Sequence, residues 1–427
     1  MSQSSSMAAG HAAAFDKQGG EQDNLRVEKA MNAFIKDFGL LSAAYLETCV
    51  HCGMCADACH FYEVTKDPRY APILKLEPFK QAYKREYGPL APLYKLFNLK
   101  RKVTIDELET WQELLYDSCT ECGRCSLICP MGIDIAGMIV KARHGMAAAG
   151  LVPSELWPTD GLSPEQFKQR LLALGSAQGI EIPVDKPKAD IVCSIFADDV
   201  ERYPQSIVAT ARIMNHLGLS WTFRSADAEV NDQALFSGRV ERQRHMALTL
   251  IEGAIATGAK TLMLPECGHC YGVLRWEGAN ILGRPLPFSV LHISEFLAQQ
   301  VESGKLKLKP MGKSAAFHDP CQLSRRGGAM AAPRKVLAAL GLAVKETSPP
   351  ATNWCCGGGG GVVAIKRANS LRHKVFRLKM QQIEDSGAEL PVTSCSSCRR
   401  TFDDGQAHYN WDKTMLSLVE LVADHLA

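Results

Sequence analysis

The sequence predicts an α+β protein, with a mainly helical N-terminal domain followed by an α/β region of two similar lobes. Three observations carry that expectation. The N-terminal third holds two short cysteine runs separated by proline-punctuated helical segments. From about residue 188 onward, short β-rich runs alternate with longer helical ones, the pattern of layered strands and helices. The second of these stretches repeats the first at a fixed offset, the mark of a duplicated unit.

Length and composition bound the rest. A chain of 427 residues has room for two or three domains of ~150 residues, each able to bury its own core. Its 16 cysteines are therefore not needed as disulfide staples. Hydrophobic residues at 46% and charged residues at 22% exclude wholesale disorder, a collagen-like chain and a coiled coil. With 48 basic against 46 acidic side chains the net charge is +2, which gives no global electrostatic case for binding nucleic acid or an anionic membrane.

No stretch reaches the ~18 apolar residues that cross a bilayer. The best, Leu248 to Leu264, is interrupted by Glu252, Gly253, Thr257, Gly258 and Lys260. Residues 1–24 are rich in Ser, Ala, Gly and Gln and lack a basic and then apolar leader, so they read as a disordered tail. A cytoplasmic, reducing location follows, where cysteines serve metal ligation or thiol chemistry.

Cys49, Cys52, Cys55 and Cys59 are spaced C-x2-C-x2-C-x3-C, and Cys119, Cys122, Cys125 and Cys129 repeat that spacing, with Pro130 next. Such spacing wraps three thiolates around one corner of a cubane, while the fourth cysteine of each run ligates the other cluster. The expectation is one [4Fe-4S] cluster on Cys49, Cys52, Cys55 and Cys129, and a second on Cys119, Cys122, Cys125 and Cys59. Zinc sites or buried free thiols are the plainer alternative, which two copies of the same four-cysteine run disfavour. Between the runs, Ile105 to Tyr116 reads as a helix capped by Thr104, with Leu108, Trp111, Leu114 and Leu115 on one side. The basic stretch Lys95, Lys100, Arg101, Lys102 is a solvated loop or a docking patch.

Asp190 to Phe196 and Lys260 to Pro265 read as buried strands and Arg239 to Thr257 as a helix. The order recurs as a strand at Ser314 to His318, helices at Ala332 to Leu340 and Val362 to Ser386, and a strand at Leu390 to Thr393. The longer helix should bury Ala364, Ala368, Leu371, Val375 and Leu378. A shift of 128 residues sets Cys193 on Cys321, Cys267 on Cys395, Cys270 on Cys398, and Arg244-His245 on Arg372-His373. The later lobe adds Cys355 and Cys356 where the earlier one has Asp227 and Ala228. Adjacent cysteines do not close a disulfide easily, but a loop freed by Gly357 to Gly361 can aim both thiolates at a polynuclear centre. That glycine run is also expected to open a helix whose amides favour negative charge.

Cys321, 33 residues, Cys355-Cys356, 38 residues, then Cys395-Ser396-Ser397-Cys398 resembles the CCG module of heterodisulfide reductases. Fused behind two ferredoxin motifs, it is similar to the D-type iron–sulfur subunits of that family and to DsrK, the sulfite-reductase-associated electron-transfer protein. The segments CVHCGMCADACHF (49–61), CTECGRCSLICPMGID (119–134), HDPC (318–321) and CCGGGGG (355–361) carry the likeness. One departure is His60, where the family has proline.

The resemblance implies a noncubane [4Fe-4S] cluster on Cys321, Cys355, Cys356, Cys395 and Cys398, reacting with a disulfide, persulfide or thiol. It also implies partner subunits, either a membrane cytochrome b-type protein or a soluble flavoprotein, and hence peripheral attachment to the inner face of the membrane. Glycolate oxidase and anaerobic glycerol-3-phosphate dehydrogenase iron–sulfur subunits share the architecture, which makes an electron conduit for a flavin dehydrogenase the second reading. No G-x-G-x-x-G follows a strand to supply a nucleotide fold in this chain. His318, Arg325, Arg326, Arg399 and Arg400 flank the five cysteines and either offset their charge, bind an anionic substrate or are solvated. In the earlier lobe Cys193, Cys267 and Cys270 hold zinc with Asp227 or His269, or are relict thiols. The expected domains are 1–24 tail, 25–150 ferredoxin-type, 151–187 linker, 188–300 degenerate CCG lobe and 301–427 cluster-binding CCG lobe.

Overall fold

A computed structural model describes residues 21–36, 39–97, 99, 102–157, 162–195, 198–227 and 233–427. The N-terminal part is helical. Helix Glu21–Lys36 begins four residues inside the expected tail and buries Val27, Ala30, Met31 and Phe34. It lies on helix Ile135–Ala148, where Gly145 lets the two come close: a Cβ there would stand 2.6 Å from the Ala30 carbonyl. Asp134 caps the latter helix by accepting from the Gly137 amide, and Ser126 ties the cap to the second cysteine run by donating to the same carboxylate at 2.8 Å. Thr104 accepts from the Glu107 amide as a helix N-cap should. That helix ends at Gln112, and Glu113–Asp117 continues as a π-turn.

The α/β part holds two four-stranded, wholly parallel sheets. The first orders its strands β2-β1-β3-β4, with β1 Ile191–Cys193, β2 Trp221–Phe223, β3 Thr261–Leu264 and β4 Ser289–His292. The second runs β6-β5-β7-β8, with β5 Ser314–His318, β6 Ala343–Val344, β7 Leu390–Thr393 and β8 Leu416–Ser417. Parallel strands buried on both faces read as short apolar runs, which is why β3, β5 and β7 were legible. Phe196, expected to end the first strand, lies outside the described residues, as do Lys100 and Arg101 of the basic stretch. Lys95 pairs with Glu86 at 2.8 Å, and Lys102 donates to Asn24.

Three expectations need correction. Residues 151–187 are not a bare linker: helix Pro164–Gln178, capped by a Ser163–Gln166 box, buries Phe167 and Leu171 in the core shared by both sheets. The helix expected over Val362 to Ser386 is two 3-10 turns, Val362–Ala364 and Lys366–Ala368, and then helix Asn369–Asp385. The glycine run therefore opens no α-helix. Its buried face is Arg372, Val375, Phe376, Lys379 and Ile383, with Leu371 and Leu378 only half-buried. Finally, the 128-residue shift does not equate Cys193 with Cys321. Cys193 lies within β1, opposite Phe223 and Met263, whereas Cys321 follows the end of β5 by three residues. Arg244 and His245 are exposed, whereas Arg372 is buried.

Candidate iron–sulfur centres

The two N-terminal cysteine runs adopt one backbone conformation. In the first, His51 and Gly53 have φ of 54° and 83°; in the second, Glu121 and Gly123, at the same positions after the first cysteine, have 54° and 75°. Left-handed residues at these positions curl each loop so that successive thiols face one centre, and a non-glycine residue held there is a strained one. Each loop then enters a short helix, Met54–Asp57 or Arg124–Ile128, and the two helices pack together. One small cavity is lined by Cys49, Cys52, Cys55 and Cys129, together with Ile73, Ile133 and Ile135. A second is lined by Cys59, Cys119, Cys122 and Cys125.

Each set combines three thiols of one run with the fourth of the other. Four thiols around an apolar space are a donor set that suits a [4Fe-4S] cubane. Burial pushes the Cys55 and Cys125 thiols up and Cys119 up to about 11, so deprotonation here needs a cation to bind. His60 is the first residue of helix His60–Thr65, buried against the second cavity, where burial holds its imidazole down to about 3.

Cys321, Cys355, Cys356, Cys395 and Cys398 are all buried and share one cluster with Phe376, Phe402 and Trp411. Cys395 caps helix Ser396–Tyr409, whose first turn carries Cys398. The adjacent Cys355 and Cys356 thiols touch each other and reach different further partners. Cys355 receives hydrogen bonds from Cys122 and Cys321, which lower it and raise them, and Cys356 lies 3.6 Å from Cys398. The glycines are needed for space: a Cβ on Gly358 would come within 1.8 Å of Thr401 Oγ1, and Gly360, at φ 60°, would press one against the Cys119 carbonyl at 2.9 Å.

Cations surround the five thiols. Buried Lys379 donates to Asn353 Oδ1 at 2.6 Å, and burial lowers its ammonium to about 8 beside Cys355 and Cys356. Arg325 donates to the Cys122 carbonyl at 2.8 Å and to Asn353. The other flanking arginines are engaged: Arg326 with Asp134 at 3.6 Å, Arg399 with Glu420 at 2.6 Å, Arg400 with Asp198 at 3.5 Å. Arg143, which no sequence pattern signalled, is fully buried and spends five N–H groups on the carbonyls of Leu115 (twice), Cys119, Phe236 and Gly360. Its Nη1 also stands 2.8 Å from Glu121 Oε1, an ion-pair contact without a hydrogen bond because the N–H groups are committed elsewhere. Arg367 completes the suture by a bidentate bond to Asp117 at 2.6 and 3.0 Å.

The earlier lobe does not assemble a comparable site. Cys193 belongs to the core around β1, while Cys270 packs on the separate cluster beneath helix Val240–Thr257. Tetrahedral zinc with bonds of about 2.3 Å needs thiolates ~3.8 Å apart. Cys193, Cys267 and Cys270 form no group with all ligand atoms within 4.8 Å, which among the described residues only His318, Cys356 and Cys398 do. The zinc expectation is therefore not supported. Ala228 and the side chain of Asp227 lie outside the described residues.

The two lobes meet under Cys395–Cys398 through acid groups. Asp199 accepts from Ser396 Oγ at 2.6 Å, and burial pushes its carboxyl up to about 8; Glu266, accepting from Ser417, is raised to about 7 the same way. A carboxyl whose folded pKa exceeds its unfolded value near 4 holds its proton more tightly when folded. Its contribution is therefore full below about pH 4 and is lost as pH rises towards about 8. Asp199→Asn is expected to flatten that decline, so that thermal unfolding at about pH 5 and about pH 8.5 separates less in the variant than in the wild type.

Two family models match. Residues 45–133 match the 4Fe-4S dicluster domain and residues 315–403 the cysteine-rich CCG domain. The D subunit of the dihydromethanophenazine:CoB–CoM heterodisulfide reductase of Methanosarcina barkeri is 29% identical over 395 residues, covering 89% of this chain and 94% of that protein. An Hdr-like menaquinol oxidoreductase iron–sulfur subunit of Archaeoglobus profundus is 23% identical, over 69% of this chain and 62% of that one. The EtfAB:quinone oxidoreductase of Syntrophomonas wolfei is 26% identical, over 87% and 56%. Among the described residues, no helix is long and apolar enough to cross a membrane. The chain thus joins a 4Fe-4S dicluster domain to a cysteine-rich CCG domain and is similar along 89% of its length to the D subunit of a heterodisulfide reductase.

Proposed function

We propose that this chain is the iron–sulfur subunit of a heterodisulfide reductase-like complex, with its reaction site at Cys321, Cys355, Cys356, Cys395 and Cys398. The observation that carries the reading is the contact of Cys122 with Cys355, which sets the second ferredoxin-type site directly against the CCG thiols. In this reading Cys49, Cys52, Cys55 and Cys129 hold one [4Fe-4S] cubane, Cys59, Cys119, Cys122 and Cys125 the other, and the CCG quintet a noncubane [4Fe-4S] cluster. When bound, the cubanes supply one-electron transfer, and the third centre supplies iron to which sulfur of a disulfide, persulfide or thiol can bind. The placement of the chain's own residues supports an order for these sites. Cys52 is exposed amid exposed Val50, Met54 and Met131, so the first site is the edge open to a partner. Arg143 and Arg325 bind carbonyls of both neighbouring sites and hold the second against the third. A small cleft lined by Gly358, Gly359, Ser396, Ser397, Arg202 and Arg400 lies behind the glycine loop.

The partner in this reading is a membrane cytochrome b-type or a soluble flavoprotein subunit, which keeps the chain cytoplasmic or on the inner membrane face. The shared strand order of the two sheets, second-first-third-fourth in each, supports a duplicated pair of lobes of which only the later kept its five cysteines. A second reading, electron conduit between a flavoprotein and a quinone, is favoured by the likeness to the EtfAB:quinone and menaquinol oxidoreductases. Electron paramagnetic resonance separates them. The oxidised protein treated with a thiol is expected to give a new signal, absent from the untreated protein; no such signal, with both cubanes reduced normally by a flavoprotein donor, contradicts the first reading.

A further inference from the structure

We propose that His318 is a nitrogen ligand to iron at the CCG cysteines, an inference that rests on the reading that these thiols hold an iron–sulfur centre. His318 closes β5, opposite Thr393 of β7, whose hydroxyl donates to the His318 carbonyl at 3.1 Å. The backbone is thus fixed and the ring is only 1% exposed, lying edge-on to Phe402 with centroids 5.2 Å apart.

Neither ring nitrogen of His318 has a hydrogen-bond partner. A buried polar group left unpaired is costly, so natural proteins supply it a partner, whether protein, water or ion. Here the groups in front of the ring are sulfurs: the ligand atoms of His318, Cys356 and Cys398 lie within 4.8 Å of one another. His269 is also unpaired and buried, but it rests edge-on to Phe236 and joins no such triad among the described residues. The position is therefore specific to the five-thiol site.

The arithmetic of the donor set points the same way. Five thiolates distributed over four irons leave at least one iron with two or more. Cys356 and Cys398, at 3.6 Å, have the separation of two thiolates on one tetrahedral metal with bonds of about 2.3 Å. The imidazole within reach of both would add a nitrogen donor to an iron held there, beyond its thiolates and sulfides. An iron with mixed nitrogen and sulfur ligation is less electron-rich than an all-thiolate one, as in Rieske centres, where histidine ligation raises the potential. Such an iron is the one suited to receive an incoming sulfur.

The test uses the intact chain with its clusters, labelled with 15N-histidine or left at natural abundance. Electron–nuclear double resonance of the thiol-treated oxidised centre is expected to show the strong nitrogen coupling of a bound imidazole, rescaled by the label and absent in His318→Cys. If that centre is diamagnetic, 57Fe Mössbauer spectra read the same point, as one iron component of higher isomer shift that the variant converts to sulfur-only values. A third centre without label-sensitive coupling or such a component, or with only the weak coupling of a hydrogen-bonded ring, overturns the ligation and leaves the five-cysteine reading standing. Iron sufficient for the cubanes alone overturns both. The wild-type measurements decide the matter even where His318→Cys does not fold.

Discussion

Serine in place of Cys356 is expected to strip about four iron atoms from each chain, one cluster's worth, and to abolish the thiol-dependent signal while both cubane signals remain. The expectation follows from where the sulfur points. Cys355 faces Cys122 and Cys321, at the seam with the second ferredoxin-type site, whereas Cys356 faces Cys398 and takes part only in the CCG group. Serine preserves the volume and the turn into Gly357, so the loop should survive. What it cannot supply is a soft thiolate. Turnover with a disulfide should fall by more than the ~10–100-fold that outer-shell changes cost at metal sites. Iron analysis and the spectrum of the purified variant check both parts. Cys52→Ser is the contrasting variant: its thiol lies at the exposed site and its loss should leave the thiol-dependent signal in place.

Arg143→Met is the second large effect. The guanidinium satisfies the carbonyls of Leu115, Cys119, Phe236 and Gly360 at once and neutralises buried Glu121, so that residues of the helical domain, the earlier lobe and the glycine loop converge on one side chain. Removing one partner of a buried pair costs roughly 3–5 kcal/mol, against a total stability of about 5–15 kcal/mol for a typical domain. Burial already raises the Glu121 carboxyl, and without Arg143 it is expected to become neutral. Arg143→Lys should rescue little, since an ammonium has three donors for the work of five. Thermal unfolding and retained iron measure the outcome, with loss of iron from the second and third sites expected before the first.

The central strands β1, β3, β5 and β7 and the cysteine runs were readable because each depends on local pattern, whereas the flanking strands β2, β4, β6 and β8, two to four residues long, were not read from the sequence. β3, β5 and β7 are short apolar runs with turn residues at their ends, and C-x2-C spacing is a property of a few consecutive residues. The helix after the glycine run shows the limit. Its leucines suggested a face through Leu371 and Leu378, yet the buried face carries Arg372 and Lys379. Two charged residues are hidden there with partners from elsewhere in the chain: Asp404 accepts from Arg372 Nη2 at 2.6 Å and Asn353 from Lys379. Hydropathy cannot anticipate partners that only tertiary structure brings near. Arg143 is the same case, a basic residue in an unremarkable helix whose acceptors lie up to 217 positions away. Cys193 shows the converse. Its offset of 128 from Cys321 suggested equivalence, but a three-residue difference in where each strand ends puts one thiol inside the sheet and the other beyond its edge.

The most direct test of the account is the iron inventory of the 57Fe-enriched chain read by Mössbauer spectroscopy. The proposed assignment predicts about twelve iron atoms per chain, four for each of three clusters, with about two-thirds of the absorption in ordinary cubane components and about one-third in a distinct component that changes on adding thiol. About eight iron atoms, all cubane-like and indifferent to thiol, would contradict it.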